Sequence, residues 1–269
     1  MCPGGPYDVM RAKKRFGQNF LQDNYIIQEI IRLAEPIGSA RILEIGPGRG
    51  ALTQHLCKID PSLFVVELDR DLIGGLEALL PSSATILAQD ALDLDLSTMP
   101  EPLLVIGNLP YNISTPLLLQ MLDQIDHIDR MVFMFQREVV DRLTAVPATK
   151  AYGKLSIVTQ LKCRARLALD VPPQAFWPAP KVDSAVVVLD PIPQETRLLY
   201  EEQTLLSILS AAFNQRRKTL RNSLKSLVSE AVLISLGIDP NARAETLTPE
   251  TYASLSLHMA GRSGDALAT

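Results

Sequence analysis

The chain has 269 residues, of which 47% are hydrophobic and 21% are charged, and its formal net charge is -4. This length is enough for one large domain, or a large and a small one, with a buried core, which excludes a disulfide-stabilised mini-protein. No uninterrupted apolar run approaches the roughly 20 residues of a membrane helix, and the negative charge argues mildly against a nucleic-acid partner.

Short apolar runs, separated by segments long enough for a helix, fill the first half of the chain. They predict strands at residues 41–45, 63–67, 85–87, 103–107 and 130–135. Helices are predicted at 72–80 and 116–122, the second with Thr115 as its N-cap and Pro116 at its first position. Repeated alternation of this kind predicts an α/β fold, with a Rossmann-like parallel sheet covered by helices on both faces.

Three glycines follow the first predicted strand, in the segment EIGPGRG. Gly46, Gly48 and Gly50 let the backbone turn sharply and approach a ligand closely, although a tight structural turn explains them equally well. Glu67 ends the next strand about 20 residues further on, the usual position of an acid that accepts hydrogen bonds from ribose hydroxyls. Together the loop and the acid indicate an adenosine-containing cofactor.

The spacing of these glycines bears on the identity of the cofactor. A dinucleotide site requires GxGxxG, with the pyrophosphate at a helix N-terminus, whereas this chain has GxGxG with Pro47 in the turn. The pattern resembles S-adenosyl-L-methionine-dependent methyltransferases and makes an NAD-dependent dehydrogenase a poor alternative. In those methyltransferases an acid after the third strand takes the adenine amino group, and Asp90 has that place here. Otherwise Asp90 is a loop carboxylate near a helix start.

The fourth strand leads into Asn-Leu-Pro-Tyr, at the end of a strand where ligands bind in doubly wound sheets. The amino group of a nucleobase is a poor nucleophile because its lone pair is delocalised into the ring. The Asn108 amide oxygen and the Pro110 carbonyl can accept its two hydrogens and favour the attacking geometry, and the Tyr111 ring offers a face for an unstacked base. The alternative is a simple turn into the next helix.

The pattern of predicted elements changes after Gly153. Strands are predicted at 154–163 and 184–189, joined by a loop that its prolines keep out of both strands, VPPQAFWPAPKVD. Helix formers dominate 195–236, and Thr248-Pro249-Glu250 gives a second helix start. We therefore expect a catalytic domain over residues 1–190 and a small all-helical domain over 191–269.

Several motifs in one order make the match to a family specific. They are FGQNFL (16–21), EIGPGRG (44–50), VELD (66–69), QDA (89–91), NLPYNIS (108–114), YGKLS (152–156), FWPAPKVDSAV (176–186) and FNQRRKTLRN (213–222). The chain closely resembles the bacterial small-subunit ribosomal RNA adenine dimethyltransferases from about residue 11 to 225. The resemblance implies transfer of two methyl groups to N6 of each of two adjacent adenosines in a hairpin loop near the 3′ end of 16S rRNA, on an assembling small subunit.

The resemblance also implies roles for single residues. Asn19 and Leu21 would contact the methionine end of the cofactor, and Gly46 and Gly48 would lie against it. Glu67 would hold the ribose, Asp90 the adenine, and Asn108 would sit between cofactor and target amine. Phe176 would close over the target base beside Tyr111; the alternative for Phe176 is a packed core position.

Charge is segregated along the chain, which the net value hides. Residues 1–40 sum to +1, 41–130 to -8, 131–225 to +6 and 226–269 to -3. The window 213–225 contains no acid, and its basic residues form a predicted helical stripe for RNA phosphates, with 217, 221 and 225 on one face. These residues are Arg216, Arg217, Lys218, Arg221 and Lys225. A solvated helix face is the alternative.

Two other functions remain open from the sequence. One is an adenine-N6 methyltransferase that acts on 23S rRNA, although that group generally has Ile where this chain has Leu109. The other is a non-catalytic RNA-binding assembly factor with the same fold. Three scattered cysteines without metal-ligand spacing favour a reducing compartment and no metal site. The start has no apolar secretion signal, so we expect a cytoplasmic protein without membrane attachment. We also expect a monomer.

Overall fold

The computed structural model describes residues 18–35 and 40–265, with side chains up to residue 261. A seven-stranded sheet forms its centre, in the spatial order β4-β3-β2-β5-β6-β9-β7. The strands are β2 (Arg41–Ile45), β3 (Phe64–Val66), β4 (Thr85–Leu87), β5 (Leu103–Asn108), β6 (Ile128–Gln136), β7 (Cys163–Val171) and β9 (Ser184–Pro191). Neighbours from β4 to β6 are parallel, and β9 is antiparallel to β6. The predicted Rossmann-like α/β sheet is confirmed.

The described part of the chain divides into two compact units. The described residues of 1–140 and 165–191 form the first, and those of 141–164 and 192–269 form the second. The first unit therefore ends near the expected boundary at 190, but the second also contains 141–164, which we expected in the catalytic domain.

The first unit combines the sheet with amphipathic helices. These are α1 (Asn24–Leu33), α2 (Thr53–Ile59), α3 (Arg70–Leu79) and α4 (Ser114–Asp123), and α5 (Arg137–Leu143) begins in this unit. The core strand β5 is buried at its first five positions, as expected for a strand covered on both faces. Asp23 caps α1 by accepting from the backbone N–H groups of Tyr25 and Ile26, which fixes where the helix begins.

A separate two-stranded sheet joins distant parts of the first unit. Strand β1 (Phe20–Leu21) pairs antiparallel with β8 (Phe176–Trp177), with Phe20 opposite Trp177 and Leu21 opposite Phe176. The backbone N–H of Gln22 extends this pairing by donating to the Ala175 carbonyl at 2.8 Å. Residues 18–22, the amino-terminal segment, are thereby joined to the proline-rich loop of residues 171–183.

The second unit has its own helical core. Its helices are α6 (Lys154–Lys162), α7 (Glu202–Asn214), α8 (Leu220–Ser223), α9 (Glu230–Ser235) and α10 (Pro249–Asp265). The buried Tyr152 and Tyr252 donate their hydroxyl hydrogens to the Leu247 and Ala244 carbonyls at 2.9 and 2.8 Å, so this core leaves neither hydroxyl unsatisfied. The predicted start at Pro249 is confirmed.

Three sequence predictions of secondary structure are wrong. Residues 154–162 of the strand predicted at 154–163 form helix α6, because Ile157 and Leu161, one helical turn apart, are both buried in the second core. Helix α4 begins at Ser114, two residues before Pro116, with Ile113 rather than Thr115 at the N-cap. The helix predicted to contain the basic stripe ends at Asn214. Residues 217, 221 and 225 therefore do not share one helix face.

Candidate functional site: a cavity at the carboxyl ends of the parallel strands

A cavity of about 150 Å³ lies in the first unit where β2, β3 and β5 end. This is the edge of a doubly wound sheet at which ligands bind. Its walls come from the amino-terminal segment, the glycine loop and the segments after β3, β4 and β5, and they are formed by residues 18–21, 44–49, 51–52, 66–68, 89–91 and 108–113. The structure thus brings together Asn19, Leu21, Gly46, Gly48, Glu67, Asp90, Asn108, Pro110 and Tyr111, as expected.

The glycine loop has a conformation that requires glycine. Gly46, Gly48 and Gly50 have φ values of +66°, +57° and +81°, a region that other L-residues adopt only at a cost. A Cβ on Gly48 would lie 3.3 Å from the ring of Phe20. The loop therefore runs close under the amino-terminal segment and presents backbone to the cavity.

Glu67 connects this loop to the turn after β3. Its Oε2 accepts from the Gly48 N–H at 3.1 Å and its Oε1 from the Asp69 N–H at 2.8 Å. Burial raises the pKa of Glu67 above its usual value, and the two backbone donors act in the opposite direction. A carboxylate has about four acceptor positions, so Glu67 retains capacity for a ribose hydroxyl while it holds the loop.

Asp90 caps a short turn and lies at the cavity wall. One carboxylate oxygen accepts from the Leu92 N–H at 2.9 Å and caps a short 3₁₀ turn. The residue also lines the cavity and is partly exposed. The cap fixes the carboxylate at the wall, where its second oxygen is available to a ligand.

Asn108 is oriented by the amino-terminal segment. Its Nδ2 donates to the carbonyl oxygen of Asn19 at 3.2 Å. Because a carbonyl can only accept, the amide nitrogen must face Asn19, and the amide oxygen is left as an acceptor at the cavity wall. This is the orientation that acceptance of an amine hydrogen requires.

Tyr111 is held by a residue that the sequence analysis did not select. Its hydroxyl lies 2.7 Å from Oγ of Ser184, the buried first residue of β9. Burial raises the pKa of Tyr111 and the Ser184 hydrogen bond lowers it. The contact fixes the ring beside the cavity, and a serine in the loop KVDS gave no signal for it without the structure.

Phe176 is not among the residues that line the cavity, and its contact with the target base stays a prediction. Its ring is only 5% exposed and packs in the core of the first unit with Leu21 and Ile27, and it does not line the cavity. The alternative of a packed core position describes it in this structure. The exposed aromatic of the loop is Trp177, at 47%.

Glu44 is the second residue that the sequence analysis passed over. It lies in β2, is 1% exposed and lines the cavity, and its Oε2 has no hydrogen-bond partner among the described residues. Burial raises its pKa from 4.5 to about 8, and the negative charge of Glu67 contributes to the shift. A glutamate between the apolar residues Leu43 and Ile45 was the available signal, because an unpaired glutamate is rarely fully buried.

Comparison with known proteins identifies the family. The model of the family described as ribosomal RNA adenine dimethylase matches residues 9–260. The chain belongs to this family. The protein named ribosomal RNA small subunit methyltransferase A from Aromatoleum aromaticum is 48% identical over 96% of this chain and 98% of its own length. The protein of the same name from Proteus mirabilis is 46% identical over 91% of this chain and 92% of its own length.

Solved structures agree with this adenine dimethylase fold. A dimethyladenosine transferase from Plasmodium falciparum superposes with a TM-score of 0.79 and 24% identity, covering 91% of this chain and 98% of its own. The 23S rRNA methyltransferase ErmE gives a TM-score of 0.69 at 24% identity, covering 90% of this chain and 100% of its own. The recognition of an rRNA adenine dimethyltransferase, and of its enzyme class, is confirmed.

The five basic residues selected for RNA contact have different surroundings in the structure of this protein. The Arg216 guanidinium donates to the Lys150 and Tyr152 carbonyls at 2.9 to 3.2 Å, and Arg221 pairs with Glu230 at 2.6 Å. The three others, Arg217, Lys218 and Lys225, are exposed. Arg216 and Arg221 therefore have contacts within the second unit, and RNA contact by any of the five residues stays a prediction.

Within the described residues, none of the helices combines the length and the apolar character needed to cross a bilayer. In the same part of the chain no three His, Cys, Asp or Glu side chains are grouped as a metal site would require.

Proposed function

We propose that this chain uses S-adenosyl-L-methionine to dimethylate N6 of two adjacent adenosines in a hairpin loop near the 3′ end of 16S rRNA, on the small ribosomal subunit or its precursor. Family membership and the names of the relatives support the rRNA substrate. The observation that carries the mechanism is the fixed amide of Asn108, whose oxygen is directed away from Asn19 at the cavity wall.

The cavity suits this cofactor. S-Adenosyl-L-methionine, when bound, supplies an electrophilic methyl group on a positively charged sulfur. Glu67 and Asp90 offer acceptors for the ribose hydroxyls and the adenine amino group, and the loop at Gly46 and Gly48 allows close approach of a ligand. The unpartnered Oε2 of Glu44 adds a buried acceptor to the same wall. A wall with acidic side chains favours a cation.

The residues after β5 prepare the target amine. The Asn108 oxygen accepts one hydrogen of the amino group. The Pro110 carbonyl accepts the other; it also takes the Ile113 N–H at 3.1 Å, but a carbonyl oxygen has two lone pairs. With its hydrogens held, the nitrogen would present its lone pair to the methyl group of a bound cofactor. The Tyr111 ring, fixed by Ser184, supports the base.

Alignment accounts for the catalysis without a dedicated general base. Attack of a neutral amine on a cationic methyl donor disperses charge, so a dry pocket and correct geometry lower the barrier. The proton that the amine carries after transfer passes to water.

The direct test uses two reactions, both with the protein and labelled S-adenosyl-L-methionine. One contains undermethylated small subunits and the other undermethylated large subunits, and the rRNA of each is then analysed by mass spectrometry. We expect dimethyladenosine at two adjacent positions of 16S rRNA. Label confined to the large subunit would instead support a 23S rRNA methyltransferase, and binding without transfer would support a non-catalytic assembly factor.

The variant Asn108→Ala tests the mechanism. We expect kcat to fall about a hundredfold or more while RNA affinity is almost unchanged, because the side chain acts on the amine. The matched control is Asn24→Ala, which removes an exposed amide at the start of α1. Undiminished methylation by Asn108→Ala would refute the role given to the fixed amide.

A further inference from the structure

Three side chains form a cluster at the rim of the cavity. The guanidinium carbon of Arg49 lies 4.4 Å from the ring centroid of Phe20 and 5.3 Å from that of Trp177, and the two rings belong to paired positions of β1 and β8. Phe20 and Arg49 also line the cavity. Trp177 therefore stands directly beside the opening, although its own side chain is not part of the wall.

The two aromatic side chains of this cluster differ in their exposure to solvent. Phe20 is 8% exposed, but Trp177 is 47% exposed. Leaving an indole half in water forgoes the stabilisation that its burial would give. The guanidinium is within the range of a cation–π contact to both rings, which holds the indole in one orientation and leaves a flat aromatic surface next to a positive charge.

A rigid aromatic surface beside a cation is the combination that binds single-stranded nucleic acid. Every base has a π-face that can stack on it, and the cation lies near the polyanionic backbone. The proposed substrate has two adjacent adenosines, so when one base occupies the cavity its neighbour must lie just outside. We propose that Trp177 is a stacking platform for the base next to the target adenosine, with Arg49 as the positioning residue that orients the indole. This inference rests on the proposed function.

The kinetic test compares Trp177→Leu, which removes the aromatic face, with Trp177→Phe, which restores it. Undermethylated small subunits are the substrate. The matched control is Tyr25→Leu, which removes an exposed aromatic (65%) that does not line the cavity. We expect Trp177→Leu to raise KM for the subunits about fivefold to a hundredfold, with kcat and the Kd of S-adenosyl-L-methionine little changed. Trp177→Phe should recover most of the loss.

Three kinetic results would overturn the platform. One is an unchanged KM in Trp177→Leu. The second is an equal rise in KM for Tyr25→Leu, which would indicate a general surface effect. The third is weakening of cofactor binding by as much as the rise in KM, which would mean that Trp177 only covers the cofactor site.

A second readout separates this inference from the proposed function. The sequence contains a single tryptophan, so the tryptophan fluorescence of the protein reports on Trp177 alone. A synthetic hairpin with two adjacent adenosines in its loop is titrated into protein saturated with S-adenosyl-L-homocysteine. Stacking should quench the emission, and an abasic position beside the target adenosine should abolish the quenching. If the wild type methylates neither subunit, the proposed function fails, and the presence or absence of this quenching then decides the platform.

Discussion

The buried carboxyl of Glu44 makes the stability of this protein depend on pH in a way that one variant can isolate. Glu44→Gln keeps the size of the side chain but can never ionise. In the wild type, burial together with the Glu67 charge raises the pKa of Glu44 from 4.5 to about 8. The native state therefore keeps the proton at pH values where the unfolded chain has lost it.

The sign and the magnitude follow from this difference in proton binding. Because the native state binds more protons than the unfolded state, the contribution of Glu44 to stability decreases as the pH rises from about 4.5 to about 8. One pKa unit corresponds to about 1.4 kcal/mol, so ionisation of Glu44 in the unfolded chain lowers the free energy of unfolding by about 1 kcal/mol at pH 5 and about 3 kcal/mol at pH 7. The glutamine variant does not have this cost.

Urea denaturation of wild type and Glu44→Gln at a series of pH values measures the effect. We expect the stability of the variant relative to wild type to increase by roughly 2 kcal/mol between pH 5 and pH 7. Glu77→Gln is the matched control, since it removes a carboxylate from an exposed position on α3 of the same unit. A difference between wild type and Glu44→Gln that stays constant over this range would refute the reasoning.

Two further predictions concern the aromatic and basic residues. Tyr111→Phe loses the hydroxyl bonded to Ser184 Oγ, so we expect a loss of about 1 kcal/mol in urea denaturation and a lower kcat, whereas the same substitution at the exposed Tyr25 should change neither. Replacing both Arg217 and Lys218 by Ala should reduce the slope of log K against log salt for RNA binding by roughly 1 to 2, because both side chains are exposed. An unchanged salt slope would show that these residues do not meet phosphate.

Local sequence signals were sufficient for the part of the cavity that follows β2, β3 and β5, because each of these parts depends on a short segment. The positive φ angles of the loop follow from the glycines themselves, and the strands before Glu67 and Asn108 are continuous apolar runs. Parallel strands end at one edge of a sheet, so the residues that follow them come together without knowledge of the helices. Asn19 was selected through the resemblance alone; its bond to Asn108 spans 89 positions.

The errors arose where a distant contact decides local structure. Residues 154–163 are rich in β-branched side chains and read as a strand, yet Ile157 and Leu161 belong to a core built largely from residues after 200. Packing then outweighs propensity. The run 213–225 has no strong helix breaker, but the chain leaves the helix after Asn214 and Thr219 forms a bridge with Arg243. The basic residues therefore lie on turns and a short helix instead of one stripe.

The two neighbouring aromatics, Phe176 and Trp177, show how a distant strand decides which of two side chains is buried. In an extended strand, successive side chains point to opposite faces, so a shift of one residue exchanges the buried and the exposed position. Strand β8 has only two residues, and its register is set by β1, more than 150 positions earlier, where Leu21 faces Phe176 and Phe20 faces Trp177. Phe176 is buried in the core opposite Leu21, whereas Trp177, opposite Phe20, is exposed. In this arrangement the exposed ring next to the cavity wall is the second aromatic of the motif, Trp177.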